Sequence, residues 1–277
     1  FRSLTTVSVG LPQANEVQIK LMASGICHTD WDSIENWNKE FIVGHEGAGI
    51  VSAIGDGVSK VVVGDHVILN WAIPCGACFQ CNEGNVHICE KNSPVCGCGL
   101  AGHAHGAATQ HNDEALERSF HLGTMSEYTV VKEAAVVKMP KDMPFTSASI
   151  VGCGVMTGWG SVVNAAELKA GSSACIIGCG GVGLNAIQGA KTSGAAKIIA
   201  IDISADRIEQ AKQFGATHGI IAERDDVDFK KVAEQVKALT DGRGADYAFE
   251  CTAIPALGSA PLALIRNSVT AVQVSGI

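Results

Sequence analysis

The stretch Ser173-Ala-Cys-Ile-Ile-Gly-Cys-Gly-Gly-Val-Gly-Leu184 decides the fold of the second half of the chain. It opens with a short apolar run that is typical of a buried strand. The run is followed by the pattern G-x-G-x-x-G and then by a helical segment, so backbone N–H groups and the positive end of the helix can meet a pyrophosphate. The residues predicted to hold this part of a dinucleotide are Gly178, Gly180, Gly181, Val182 and Gly183.

Strands and helices alternate on both sides of this glycine loop. We predict strands at 173–177, 197–202, 218–221, 245–250 and 269–274, and helices at 182–192, 205–213, 229–239 and 256–265. This alternation predicts a doubly wound parallel sheet with helices on both faces, which is a Rossmann domain. The fold class predicted for the chain is therefore α/β.

Asp202 ends the second predicted strand of this domain. Its distance from the glycine loop is that at which a carboxylate binds the ribose hydroxyls of adenosine. A 2′-phosphate beside Asp202 would be repelled, so the sequence favours NAD over NADP, although the neighbouring Arg207 could weaken that preference.

The first half of the chain has a different pattern, in which short strands alternate with turns. We predict strands at 17–22, 49–54, 66–70 and 128–131, separated by turn signals such as Gly55-Asp56-Gly57. A mainly β domain is expected over 1–150, followed by the cofactor domain over 151–277.

Four cysteines lie within the fifteen residues 75–89 of the first domain: Cys75, Cys78, Cys81 and Cys89. One loop can wrap four thiolates tetrahedrally around Zn²⁺, and four protein ligands leave no position open, so this zinc would be structural. An iron–sulfur cluster uses the same ligands, and four buried free thiols are the remaining alternative. Four residues further along are interpreted as spare loop cysteines and solvated histidines: Cys96, Cys98, His103 and His105.

Three metal-binding residue types are dispersed along the chain, in Gly25-Ile-Cys27-His28-Thr29-Asp30, in Gly44-His45-Glu46-Gly47 and at Cys153. A lone cysteine is more often a small buried hydrophobic residue than a ligand. Together, however, Cys27, His45 and Cys153 would form a Cys₂His set that leaves the fourth position of zinc open, which is the catalytic arrangement.

With these motifs in this order, the chain resembles the zinc-containing alcohol dehydrogenases of the medium-chain dehydrogenase/reductase family, including those related to the glutathione-dependent formaldehyde enzymes. The matching stretches are 25–30, 44–49, 75–89, 152–154 and the glycine loop. The resemblance implies a GroES-like catalytic domain over 1–150 with a structural-zinc lobe at 75–89, a Rossmann NAD-binding domain, and two zinc ions per chain.

The resemblance also implies roles around the catalytic zinc. Cys27, His45 and Cys153 would be its ligands, and Glu46 would lie behind it as a neighbouring or transient ligand. Asp30 would orient His45, because a carboxylate on the far nitrogen of a ligating imidazole fixes its tautomer. A carboxylate that only caps a turn is the alternative for Asp30.

Three further residues match positions that contact the cofactor in this family. His28 would lie against the pyrophosphate, Thr157 beside the nicotinamide, and Arg207 at the adenosine end. Without the resemblance, the alternatives are a surface histidine for His28, a helix-capping threonine for Thr157 and a plain exposed helix residue for Arg207.

The predicted activity is hydride transfer between NAD and a primary alcohol, including aryl or allylic alcohols, or the matching aldehyde, through a zinc-bound alkoxide. Lowering the pKa of a metal-bound hydroxyl to about 7 corresponds to roughly 12 kcal/mol, which is more than any local hydrogen bond contributes. Thr29 would relay the hydroxyl proton. Many relatives end this relay in a histidine where this chain has Asp32, so the exit route stays open. Trp71 would line the substrate pocket or belong to the core.

Composition excludes other classes of function. The formal net charge is −8 without a Lys/Arg cluster, which argues against nucleic-acid and anionic-membrane partners. We see no membrane-spanning stretch and no signal peptide. The odd count of eleven cysteines fits reduced thiols and metal ligation, which predicts a cytoplasmic protein. The resemblance implies a small-molecule alcohol or aldehyde as substrate and a homodimer or homotetramer.

Three alternatives remain. An S-(hydroxymethyl)glutathione (formaldehyde) dehydrogenase would use the same residues, whereas many polyol dehydrogenases replace the second cysteine ligand with glutamate. A non-catalytic NAD-binding or zinc-stabilised interaction protein would keep the cysteine lobe and the glycine loop while holding no metal at Cys27, His45 and Cys153. Relatives continue beyond the fifth strand of the cofactor domain, so we expect the C-terminal part of that domain to be truncated here.

Overall fold

The computed structural model of the chain describes residues 4–91, 109–112, 114–226 and 228–275. The chain divides into two compact units, 1–153 and 154–277. No helix within the described ranges is long and apolar enough to cross a membrane. The interpretations of Cys96, Cys98, His103 and His105 concern residues outside those ranges.

The first unit consists mainly of short strands. They are β1 (Ser8–Val9), β2 (Glu16–Ser24), β3 (Phe41–Ile42), β4 (Gly47–Ile54), β5 (His66–Leu69), β6 (Thr109–His111), β7 (Glu114–Ala115), β8 (Glu117–Arg118), β9 (Tyr128–Lys132) and β10 (Val136–Lys138). Five of them form an antiparallel sheet in the order β10-β5-β4-β2-β9. Its helices are α1 (His28–Asn36), α2 (Phe79–Asn82) and α3 (Phe145–Ser149), with 3₁₀ turns at Val86–Ile88, Ser119–His121, Glu133–Ala135 and Ile150–Gly152.

The core of this unit follows from the two-residue period of its strands. In β2, Val17 and Ile19 are fully buried, whereas Gln18 and Lys20 between them keep exposed surface. Successive side chains of a strand point to opposite faces, so one face of the sheet carries the apolar residues. That face packs with Val51, Val67 and Leu69 of the neighbouring strands and so provides a rigid support for the loops at their ends.

The second unit alternates strands and helices. Its elements are α4 (Gly154–Gly160), a π turn (Ser161–Ala165), β11 (Ser173–Ile177), α5 (Gly181–Thr192), β12 (Lys197–Asp202), α6 (Ala205–Phe214), β13 (His218–Ile221), α7 (Lys230–Leu239), β14 (Ala245–Glu250), a 3₁₀ turn (Pro255–Leu257), α8 (Ala260–Leu264) and β15 (Ile265–Gln273). The strands form one parallel sheet in the order β13-β12-β11-β14-β15. The predicted doubly wound parallel sheet is therefore confirmed.

Both faces of this sheet are covered. In β11 every residue is buried, and alternate side chains join two different cores. Ile176 packs with the apolar faces of α5 and α6, while Ile177 packs with those of α7 and α8. Because the strand order reverses between β11 and β14, a crevice for a ligand is expected at the carboxyl ends of these two strands.

The last predicted helix, at 256–265, is present only in its second half. The segment contains a 3₁₀ turn, Pro255–Leu257, and then the short helix α8, whose first turn contains Pro261. Proline lacks an N–H group and is tolerated only in the first turn of a helix, so Pro261 marks a new helix start rather than a helix interior. The strand that follows accordingly begins at Ile265, four residues before its predicted start.

Candidate metal centres and cofactor loop

Four potential metal ligands converge within the first unit. One ligand atom each from Cys27, His45, Glu46 and Cys153 lies within 4.8 Å of all the others. The Sγ atoms of Cys27 and Cys153 are 4.0 Å apart, and His45 Nε2 is 3.3 Å from Cys153 Sγ. A tetrahedral zinc with bonds of about 2.0–2.3 Å places its ligand atoms roughly 3.3–3.8 Å apart. The donor atoms and their spacing therefore fit one zinc ion.

Helix α1 positions two sides of this site. Its first turn is a capping box, in which the Asp30 carboxylate accepts a hydrogen bond from the Cys27 backbone N–H at 2.9 Å. The other oxygen of Asp30 accepts from His45 Nδ1 at 2.8 Å. Since a carboxylate can only accept, the proton lies on Nδ1 and Nε2 is left facing the cluster. Asp30 therefore caps the helix and supports the His45 ring at the same time, so the two alternatives from the sequence do not exclude each other.

The pKa values of the cluster favour binding of a cation. Hydrogen bonds with the Cys153 thiol and, more weakly, with His45 and Thr29 lower the pKa of Cys27 to about 4 despite its burial. The same contact with Cys27 raises the pKa of Cys153, so the two sulfurs share one proton. Burial would lower the pKa of His45, but Asp30 and the Cys27 thiolate outweigh it and raise that pKa to about 9. Negative charge is therefore already favoured on a sulfur at the centre of the site.

Glu46 is held behind the cluster by a close approach to the backbone. Its side chain is 4% exposed, and a Cβ atom on Gly25 would stand 1.9 Å from Glu46 Oε2. Any side chain at position 25 would displace this carboxylate, which explains the glycine two residues before Cys27.

An aromatic residue that the sequence analysis missed also contacts the site. The ring of Phe120 lies 4.6 Å from the His45 ring and 5.8 Å, edge-on, from that of Trp71. Phe120 has a φ of 52°, in the left-handed region that non-glycine residues rarely adopt. Such strain is typical of functional sites. Trp71, which also packs against the core of the sheet, is thereby connected to the site through Phe120.

The four-cysteine lobe forms a second ligand cluster in the same unit. Its sulfur atoms all lie within 4.8 Å of one another, and those of Cys78 and Cys89 are 3.9 Å apart. This separation is too long for a disulfide and close to the edge of a tetrahedral zinc–thiolate site. Backbone N–H groups point at the sulfurs: Cys75 donates to Cys89, and Cys78 donates to Cys75, both at 3.3 Å.

These N–H groups favour thiolates. The backbone N–H of Cys81 does most to lower the pKa of Cys78, to about 6, whereas burial raises the pKa of Cys81 to about 11. A cation that replaces the shared protons would satisfy all four sulfurs. The lobe therefore fits a closed structural zinc site.

In the second unit the glycine loop has the geometry of a phosphate-binding turn. It runs from the end of β11 into α5, and a Cβ atom on Gly183 would stand 1.8 Å from the Gly178 carbonyl oxygen. Asp202, at the end of β12 and 6% exposed, accepts from the Cys179 N–H at 2.8 Å and from the Ser204 N–H at 3.0 Å. Asp202 thus shapes the glycine loop, a role that its position in the sequence did not reveal.

Two family models match the chain. Residues 13–141 match the alcohol dehydrogenase GroES-like domain, and residues 181–276 match the zinc-binding dehydrogenase model. The probable S-(hydroxymethyl)glutathione dehydrogenase 1 of Schizosaccharomyces pombe is 40% identical over 90% of this chain and 66% of its own length. Alcohol dehydrogenase 6 of Peromyscus maniculatus is 38% identical over 91% of this chain and 67% of its own length.

A solved structure extends the similarity to the full fold. The benzyl alcohol dehydrogenase from Acinetobacter calcoaceticus is 32% identical, with a TM-score of 0.82 over 99% of this chain and 74% of that chain. The chain belongs to the zinc-type alcohol dehydrogenase family. This membership confirms the predicted class, a GroES-like domain followed by a Rossmann-type domain, and zinc and NAD are the cofactors predicted for such a dehydrogenase.

This zinc-type alcohol dehydrogenase chain spans about two thirds, 66%, of the length of the first two curated relatives that it matches. The residues predicted to contact its cofactor or relay a proton are placed as follows. His28 is exposed on α1 with Nε2 3.5 Å from Asp32, and Thr29 Oγ1 accepts from Cys27 Sγ at 3.6 Å. Thr157 is half-buried in α4, and Arg207 is exposed in α6 with its guanidinium 3.7 Å from Asp202. Their individual roles stay predictions.

Proposed function

We propose that this protein is an NAD-dependent zinc alcohol dehydrogenase that interconverts primary alcohols, aryl and allylic ones included, with their aldehydes. One observation carries the proposal: the side chains of Cys27, His45 and Cys153 converge on a point where two sulfurs and one nitrogen can bind zinc. Three such ligands leave a coordination position for substrate, which distinguishes a catalytic site from the closed four-cysteine lobe.

When bound, zinc supplies a Lewis acid that lowers the pKa of an alcohol hydroxyl, and NAD supplies the hydride acceptor. The protein residues hold this chemistry in place. Asp30 keeps the proton of His45 on Nδ1, so Nε2 stays available as a ligand. Thr29 Oγ1 lies beside Cys27 on the exposed side of α1, where it can accept the hydroxyl proton and pass it outward.

The direct test is a panel of primary, secondary and aryl alcohols, assayed with NAD and NADP on the zinc-loaded full-length protein alongside metal counting by mass spectrometry. We expect two zinc ions per chain and NAD-dependent turnover of primary alcohols. A single zinc ion per chain, held in the cysteine lobe, would indicate the non-catalytic alternative.

The relay role of Thr29 gives a specific prediction. Thr29→Ala removes the hydroxyl and is expected to lower kcat by about 10²–10⁴-fold, the usual contribution of a positioned proton-transfer group. Thr29→Ser keeps the hydroxyl and is expected to retain most of the activity. Zinc content and NAD affinity should stay constant in both variants, and full turnover by Thr29→Ala would eliminate the relay.

Asp202 gives a prediction on cofactor choice. Asp202→Ala is expected to lower kcat/KM with NAD by about 10–100-fold, since the ribose loses a charged hydrogen bond and the glycine loop loses an anchor at Cys179. Removal of the negative charge should raise kcat/KM with NADP. The control is Asp206→Ala, an exposed carboxylate in the first turn of α6. Equal NAD-to-NADP ratios for Asp202→Ala and the wild type would exclude this role.

A second candidate activity is the oxidation of S-(hydroxymethyl)glutathione. It is supported by two relatives that carry this name, from Schizosaccharomyces pombe and Saccharomyces cerevisiae, at 40% and 38% identity. Formaldehyde oxidation with and without glutathione separates the two activities, because only this candidate requires the thiol.

We further propose a cytoplasmic homodimer or homotetramer, and the free state of all nine described cysteines suits a reducing compartment.

A further inference from the structure

Glu250 is a fully buried carboxylate in the second unit that the proposed activity does not use. It is the last residue of β14, paired in register with Ile177 of β11 on one side and with Gln273 of β15 on the other. One of its carboxylate oxygens accepts from the backbone N–H and the hydroxyl of Thr252, and the other accepts from the hydroxyl of Ser275. All three donors are neutral groups.

If stability were its only role, a carboxylate at this position would be unfavourable. Removing a carboxylate from water without a cationic partner carries a large desolvation penalty, and an apolar residue of similar size often serves a core position as well or better. The neighbouring strand positions Ile177 and Phe249 are apolar and buried, as a parallel sheet requires. The geometry around Glu250 therefore indicates a use other than packing.

The hydrogen bonds of Glu250 connect segments at the cofactor edge of the sheet. Thr252 follows β14 and Ser275 follows β15, so one carboxylate joins two chain segments at the carboxyl ends of parallel strands. Thr252 is also in contact with the glycine loop: a Cβ atom on Gly178 would stand 2.8 Å from Thr252 Cγ2. Gly178 has a φ of +87° and begins the turn that is predicted to hold the pyrophosphate.

We infer that Glu250 is a positioning residue for the dinucleotide, which acts by fixing the side chain of Thr252 against Gly178 and by tying together the segments after β14 and β15. With its hydroxyl held by Glu250, Thr252 directs its methyl group at the glycine loop. This preorganises the crevice at the point where the strand order reverses, where dinucleotides bind. The inference rests on the proposed NAD-dependent function.

The test measures the Kd for NAD, by calorimetry on the full-length zinc-loaded protein, in four variants. Glu250→Met keeps the length of the side chain but accepts no strong hydrogen bond, and Glu250→Gln keeps an oxygen for Thr252. Thr252→Val keeps the shape but loses the hydroxyl. Glu16→Met is the matched control, since Glu16 is an equally buried carboxylate in the first unit, bonded to Lys132.

We expect Glu250→Met and Thr252→Val each to raise the Kd for NAD about tenfold, which is the worth of one charge-assisted hydrogen bond, and Glu250→Gln to raise it less than about threefold. Because Glu250 acts through Thr252, the Glu250→Met/Thr252→Val double variant should bind NAD about as weakly as Glu250→Met alone. Glu16→Met should lower the melting temperature without changing the Kd.

A Kd within about twofold of the wild type in both Glu250→Met and Thr252→Val would overturn the inference, and so would an equal loss of affinity in Glu16→Met. Should Glu250→Met not fold, Thr252→Val alone decides between these outcomes. If the wild type binds no NAD, the proposed function fails and the inference fails with it. If the wild type binds NAD and the variants bind it equally well, the inference alone fails.

Discussion

Replacing Cys153 with alanine is expected to leave one zinc ion per chain instead of two and to lower alcohol turnover by more than about 10³-fold. Cys153 supplies one of the two sulfurs of the open cluster, and its Sγ stands 3.3 Å from His45 Nε2 and 4.0 Å from Cys27 Sγ. Without it, two protein ligands and the nearby Glu46 remain, which is fewer thiolates than a stable site of this kind has. Loss of the Lewis acid removes several kcal/mol of transition-state stabilisation, at 1.36 kcal/mol for each factor of ten.

The chain offers a matched control in Cys175→Ala. Cys175 is fully buried in β11 of the second unit, where burial raises the pKa of its thiol. Among the residues that the structure describes, no ligand cluster includes it. Both substitutions remove one thiol, but only Cys153→Ala should change the zinc count. Metal counting by mass spectrometry and steady-state kinetics with NAD give the readout. Two zinc ions per chain in Cys153→Ala would contradict the ligand assignment and, with it, the proposed function.

The parallel sheet was predictable because its strands are short apolar runs that the surrounding sequence bounds sharply. In the structure, β11, β12, β13 and β14 have the bounds that the sequence predicts. The central strands β11 and β12 are buried almost throughout because helices cover both faces of the sheet, and Gly178 follows β11 at once. Local sequence and tertiary burial give the same information here.

Helix α1 could not be predicted in this way. Its sequence, His-Thr-Asp-Trp-Asp-Ser-Ile-Glu-Asn, has no apolar period, and the only residues that it buries are Asp30 and Ser33. The helix is stabilised by the capping box at Cys27 and by the bond from His45, a residue fifteen positions away, to Asp30. Such a contact is a property of the folded domain and leaves no periodic signal in the local sequence.

Some residues of the candidate site could likewise be predicted from the sequence, and others could not. Residue types and spacing suggested the ligands, but the convergence of Cys27 and Cys153, 126 positions apart, followed from a resemblance and not from any local rule. Phe120 carried no signal at all, because a left-handed backbone at an aromatic residue is imposed by its surroundings. Glu250 was hidden for a related reason: a glutamate at the end of a strand looks solvent-exposed until its neighbours are placed around it.

A second large effect, the unfolding of the four-cysteine lobe, is expected when its zinc is lost, because this segment has almost no apolar core of its own. Helix α2 has four residues, none of them buried, and the 3₁₀ turn Val86–Ile88 buries none either. A helix of four residues is unstable in isolation. Of the cysteines, Cys78 and Cys89 are buried, and both belong to the ligand cluster. The lobe should therefore depend on zinc for its structure, as small metal-binding domains do.

Cys89→Ala is accordingly expected to release the structural zinc and to unfold the lobe, since binding of such an ion contributes about 10–16 kcal/mol to folding of small zinc domains. The first readout is the zinc count, which should fall from two to one. The second is limited proteolysis: the rate of cleavage within 75–89 should rise by more than about 100-fold, because the unfolded lobe is accessible to protease. The control is Phe79→Ala, an exposed residue of the same lobe. Protease resistance in Cys89→Ala equal to that of Phe79→Ala would show that packing, and not a metal ion, holds these residues together.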